Sequence, residues 1–207
     1  QEYNENKMKF KIIFILSFLF TYNYSIANNY MSDSAQIMDL YLTGKFYIEV
    51  DAALKDNLFE KTKSYNEGIS LLKNALNNIY LYPKAFKSER WYKIAKIEIY
   101  KAKAKGYYNL EDFNNAALDF KNYIRLKESI TYLESEDYLL LANTYYKSGN
   151  NSINAIKYFS KAIELDRDSI SLYLRGIEYM RTKQYNNAIS DFSESLSLNP
   201  RNELYFL

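Results

Sequence analysis

Three short stretches carry side chains that could act on a partner: Lys101-Ala-Lys-Ala-Lys105, the acidic group Glu134, Glu136 and Asp137, and the sequon Asn150-Asn151-Ser152. Lys101 and Lys105 stand one helical turn apart, a spacing that suits an acidic partner and equally suits a solvated helix face. The three acids fall where a helix should start, and its dipole explains them better than acid/base chemistry does. No pair of carboxylates can be placed across a cleft from the sequence, so no catalytic residues are expected. The sequon matters only in a glycosylating secretory pathway. With no His and no Cys in 207 residues, imidazole bases, thiol nucleophiles, disulfides and the usual zinc, haem and iron–sulfur ligands are excluded. The expectation is a protein that is not an enzyme and uses no cofactor or metal. Its 27 basic and 25 acidic residues leave a net charge of +2, too weak a field to argue for nucleic acid.

The composition then limits the elements that could position such residues. A hydrophobic share of 48% supports a core, and only 5 Gly and 2 Pro disfavour turn-rich sandwiches and barrels. Long helices are the alternative. The excess of Asn, Lys, Ile and Tyr, with 23 Tyr, reads as the mark of an AT-rich coding sequence.

The N-terminus has the three parts of a secretory signal peptide over residues 8–27: Met8 with Lys9 and Lys11, an apolar run from Ile12 to Phe20, and small residues Ser25 and Ala27 before a cleavage point after Ala27. The run is too short for a bilayer-spanning helix, although an uncleaved anchor stays open as the other reading. Residues 1–7, acidic and upstream of Met8, read as an artefact or upstream read-through. The expected location is therefore periplasmic or secreted, with no membrane contact after signal cleavage.

Internal repeats decide the fold. Residues 116–126, 155–165 and 188–198 align without a gap: Ala116, Ala155 and Ala188 correspond, as do Phe120, Phe159 and Phe192, in steps of 39 and 33. A second helix precedes each, through Tyr100, Ala104 and Tyr107, then Tyr138, Ala142 and Tyr145, then Leu172, Gly176 and Tyr179. The small residue lets paired helices approach closely, and the aromatic three positions later fills the space beside the contact. The unit is helix, tight turn, helix.

These residues resemble the tetratricopeptide repeat, a 34-residue helix pair. Residues 169–202 match best, through Leu172, Gly176, Tyr179, Tyr185, Ala188, Phe192, Ser195 and Pro200. Residues 135–168 match with one extra residue in the turn at 149–151, and residues 97–130 match despite the large Tyr123. A degenerate unit with a long connecting helix is expected over 49–96; Asp56 lies where its first helix needs a small residue. Residues 28–48 form a partly helical lead-in, with Gly44 a potential break, and residues 203–207 stand where a further helix could begin.

The resemblance implies an all-α fold, a right-handed superhelical solenoid of antiparallel helix pairs with a concave binding surface. It also implies that the first helix of each pair lines the groove, at Glu98, Lys101, Lys105, Tyr108 and Asn109, then Glu136, Leu139, Asn143, Tyr146 and Lys147, then Ile170, Tyr173, Ile177, Met180 and Arg181. Aromatic and Met side chains there would anchor a peptide, and Asn143 would hydrogen-bond its backbone. The competing reading buries Tyr173, Ile177 and Met180 against a further helix downstream. The apolar Ile170 and Leu174 argue against a carboxylate clamp. The function expected is an exported, non-catalytic protein-binding scaffold with a peptide or protein ligand, to be sought first in an envelope assembly; the alternatives are a self-associating structural subunit or the repeat portion of a longer protein.

Overall fold

The computed structural model describes residues 33–82, 84 and 88–200. The signal peptide at 8–27, its cleavage point, residues 1–7 and residues 203–207 lie outside the described residues. Among those described, the regular structure is helical: α1 (Asp33–Phe46), α2 (Leu58–Leu81), α3 (Glu89–Asn109), α4 (Phe113–Glu128), α5 (Ser135–Ser148), α6 (Ser152–Leu165), α7 (Ser169–Arg181) and α8 (Tyr185–Leu198). Odd and even helices pack as antiparallel hairpins, and each even helix packs on the next odd one, which gives a helical solenoid with a core continuous from α1 to α7.

Local chemistry fixes most helix ends. Asn57, Ser88, Asp112 and Asp168 each accept a backbone N–H of the first turn, at 2.9, 3.3, 3.2 and 2.9 Å. The turns inside the last three hairpins share a left-handed residue at the same repeat position: Glu111 at φ 59°, Gly149 at φ 69° and Lys183 at φ 61°. Only Gly149 adopts it without steric cost.

Each hairpin closes on a small residue. A Cβ on Gly176 would sit 2.5 Å from Phe192, and one on Gly68 would sit 2.7 Å from the carbonyl of Gly44. Gly44 therefore does not break its helix; it is the contact at which α1 meets α2. The first helix of the leading hairpin thus lies upstream of residue 49, in the segment read as a lead-in. Leu40, Gly44 and Tyr47 stand 60 residues before Tyr100, Ala104 and Tyr107. The chain then widens into a π-helical turn at Tyr47–Asp51 and a 3-10 turn at Ala52–Leu54, so Gly44 and Gly68 are 24 residues apart where Ala104 and Ala116 are 12 apart. Asp56 falls in the connection before α2, not on a first helix.

Buried ion pairs lock neighbouring helices. Arg175 on α7 grips Asp191 on α8 through two bonds of 2.7 Å and reaches Ser160 on α6 at 3.0 Å. Asp137 on α5 accepts from Lys127 at 2.7 Å, from the Glu134 N–H at 2.8 Å and from the Tyr123 hydroxyl. Burial alone would raise the Asp137 carboxyl, but these bonds and the Lys127 charge outweigh it and hold the group below its ordinary value. Asp119 on α4 behaves oppositely. Lys103 stands 3.4 Å away and Oδ2 has no hydrogen bond among the described residues, so burial dominates and pushes its pKa up to about 6.

Two of these contacts can be tested by substitution. Gly68→Ala should lower stability in urea unfolding by about 1–3 kcal/mol, because the new methyl meets backbone rather than a flexible side chain. Between pH values near 4 and 6 the folded chain keeps the Asp119 proton that the unfolded chain has lost, so this group makes stability fall as pH rises through that window. Asp119→Asn should remove that part of the slope, read as the difference between wild-type and variant unfolding free energies across the window.

Candidate groove on the concave face

The carboxyl-terminal half of α3 and the facing part of α5 carry the side chains that the repeat register assigns to a groove. An open cleft of about 620 Å³ lies there, lined by Lys105, Tyr108 and Asn109 of α3, Leu140 and Asn143 of α5, and Ile48, Glu49 and Ala53 of the irregular segment after α1. Its volume falls in the range of ordinary ligand sites. It adjoins a smaller hollow of about 140 Å³ bounded by Lys45, Glu49, Glu98, Lys101 and Lys105.

The charges of this surface are matched among themselves. Lys105 stands 3.5 Å from Glu49, Lys101 stands 4.0 Å from Glu136, and Lys45 stands 4.0 Å from Glu49. Tyr41 donates to Glu98 at 3.3 Å; burial first, then the nearby Glu98, raises that phenol far above its ordinary value. Lys101 and Lys105 thus face glutamates rather than standing bare for an acidic partner. The amides of Asn109 and Asn143, by contrast, make no side-chain hydrogen bond among the described residues. Beside them Tyr108 is fixed edge-on against Phe113, with centroids 5.6 Å apart, and partial burial raises its pKa.

The structure therefore gathers Lys105, Tyr108, Asn109 and Asn143 in one cleft, with Glu98 and Lys101 at the adjoining hollow, while the remaining assigned residues lie elsewhere. Leu139 is half-buried against the core. Lys147 is exposed. Tyr146 packs edge-on against Phe159 at 6.5 Å, and the Arg181 guanidinium covers its ring at 5.0 Å. Arg181 also pairs with Glu178, whose side chain is fully buried, which gives Arg181 a structural role. Tyr173 tilts against Phe192 at 5.6 Å, Ile177 is half-buried, and Met180 and Ile170 are exposed.

Ile48 and Glu49 are cleft residues that the repeat register of the later hairpins does not assign. The signal that finds them is the 60-residue offset: carried onto α1, it puts Met38, Tyr41, Lys45, Ile48 and Glu49 at groove positions.

The comparison with known families bears on the last two hairpins. Residues 138–169 and residues 170–202 each match the tetratricopeptide repeat, together covering α5 to α8 and about a third of the chain. No curated protein matches the chain.

Proposed function

We propose that this chain, whose last two hairpins match the tetratricopeptide repeat, is an exported protein-binding scaffold that holds an extended peptide segment in the cleft between α3 and α5. Such repeats in general support protein–protein interaction. The observation that carries the finer reading is the pair of unengaged amides, Asn109 and Asn143, set beside an oriented tyrosine ring and the apolar Ile48 and Leu140. Amides without partners can take both the N–H and the C=O of a peptide backbone, and the ring and aliphatic side chains can take its apolar side chains. Because the neighbouring lysines and glutamates already face one another, the segment recognised is uncharged where it crosses the cleft. The mechanism is recognition without bond making, in an envelope compartment reached through cleavage after Ala27.

A second reading, self-association, rests on α8. Ala117 and Ile124 of α4 are 6% and 9% exposed beneath the next hairpin, whereas the corresponding Ile189 and Leu196 of α8 are 62% and 50% exposed. An oligomer that Ile189→Glu disperses would favour this reading, and a monomeric solution mass would remove it.

The binding experiment selects peptides on the purified chain and titrates the best one. Asn143→Ala and Tyr108→Ala should each weaken it about ten-fold or more, in the range of interface anchor residues; unchanged affinity in both would overturn the cleft assignment. The intact mass of the exported protein should correspond to a chain beginning at Asn28, and a mass that retains residues 8–27 would show an uncleaved anchor instead.

A further inference from the structure

The edge where α2 turns into α3 differs in chemistry from the groove. Helix α2 closes with Tyr80, Leu81 and Tyr82, and Trp91 stands in the first turn of α3; all four are largely exposed, Leu81 at 69% and Trp91 at 58%. Lys96 ties the two helix ends together, its ammonium 4.3 Å from the centre of the Tyr80 ring and 5.0 Å from that of Tyr92. Lys84 and Arg90, close to these rings in sequence, are exposed. Arg125 of α4 lies near enough for its charge to help lower the Tyr80 phenol, behind the leading effect of the hydrogen bond with Tyr100. Among the described residues from 80 to 96, four are basic and one is acidic, and that acid, Glu89, is paired with Lys93 at 2.9 Å. The whole chain has a net charge of only +2, so this edge alone carries more positive charge than the chain does in total.

Exposed rings with polar tips, an exposed leucine and surrounding cations are the combination that settles in the headgroup layer of a bilayer. The rings and leucine bury apolar surface at that depth while the cations meet anionic lipid. A nucleic-acid strand would need a basic track beside the stacking rings. The neighbouring connection from α4 to α5 instead presents Glu128, Glu134 and Glu136.

We propose that the α2–α3 edge is a peripheral docking surface for anionic membranes, with Leu81, Tyr82 and Trp91 seated among the headgroups and Lys84 and Arg90 against their phosphates. This attachment is separate from the signal peptide, and no described helix is long and apolar enough to cross a membrane. It departs from the expectation that membrane contact ends with signal cleavage. Trp91 and Tyr108 are about 25 Å apart along α3, from the rise per helical residue, so docking leaves the cleft open.

Trp91 is the only tryptophan of the chain, so its emission reports this edge even where the N-terminal apolar run binds lipid as well. The full chain is mixed with phosphatidylcholine vesicles, with and without phosphatidylglycerol, and with bromine-labelled lipid as quencher. The expected result is a blue shift and quenching on the anionic vesicles, reversed by salt and weakened by about five-fold or more by each of Lys84→Glu and Arg90→Glu. Leu81→Ser should reduce the quenching, while Asn143→Ala, in the cleft, should leave it unchanged. These positions are exposed or half-exposed, and helical circular dichroism confirms that each variant is folded. Unchanged Trp91 emission while the chain sediments with vesicles would overturn the proposal, as would quenching indifferent to both charge reversals. A shift produced by a single-stranded oligonucleotide and not by vesicles would overturn it too and assign the edge to nucleic acid.

Discussion

The close approach of two helices at a small residue governs this architecture. In the first hairpin the Gly44 and Gly68 backbones nearly touch, and in the last the Phe192 ring lies where a Gly176 side chain would begin. Ala104 and Ala116, and Ala142 and Ala155, hold the same places in the hairpins between, all fully buried. At that separation the larger neighbours Leu72, Phe120 and Phe159 fill the remaining space, and the two helices of a pair share one apolar layer. Side chains that do not fit between them are turned outward. The residues at intermediate positions of the odd helices are thereby gathered on one face, which is how Lys105, Tyr108 and Asn143 come to border a common cleft although they belong to different hairpins.

Polar chemistry is divided between the interior and that face. Inside, Arg175 with Asp191 and Lys127 with Asp137 satisfy most of their bonding capacity, and breaking one partner would leave a charge stranded. On the face, the ion pairs are longer and wetter, and each contributes little to stability. Their effect is to leave this face with balanced charge. The tyrosines belong to the same arrangement. Lysine and arginine heads stand within 6 Å of tyrosine rings throughout the described residues, on exposed and buried rings alike. The chain is rich in Tyr and Lys, and the fold makes use of their pairing.

The later hairpins were legible because their repeat positions recur at nearly constant steps, and periodicity reports the buried face of a helix directly. The first hairpin was obscured by twelve additional residues between its helices, which moved α1 out of register with α2 and made Gly44 look like a terminator. The cleft was half legible for the same reason: its α3 wall and Asn143 of α5 obey the register, Leu140 stands one residue past the assigned Leu139, and Ile48 and Glu49 obey it only once α1 is recognised. Charge pairing was not legible at all. Nothing local to Lys105 announces a glutamate 56 residues earlier in the chain, and nothing local to Arg181 announces that it roofs Tyr146.

The π-helical turn at Tyr47–Asp51 holds one more residue per hydrogen-bonded ring than the α-helix it extends, with the Ala52 N–H bonded to the Tyr47 carbonyl. Each residue added to or taken from an α-helix rotates the chain downstream by about 100°. A change of length by a single codon here would swing one wall of the cleft through a quarter turn while leaving the Gly44 contact in place.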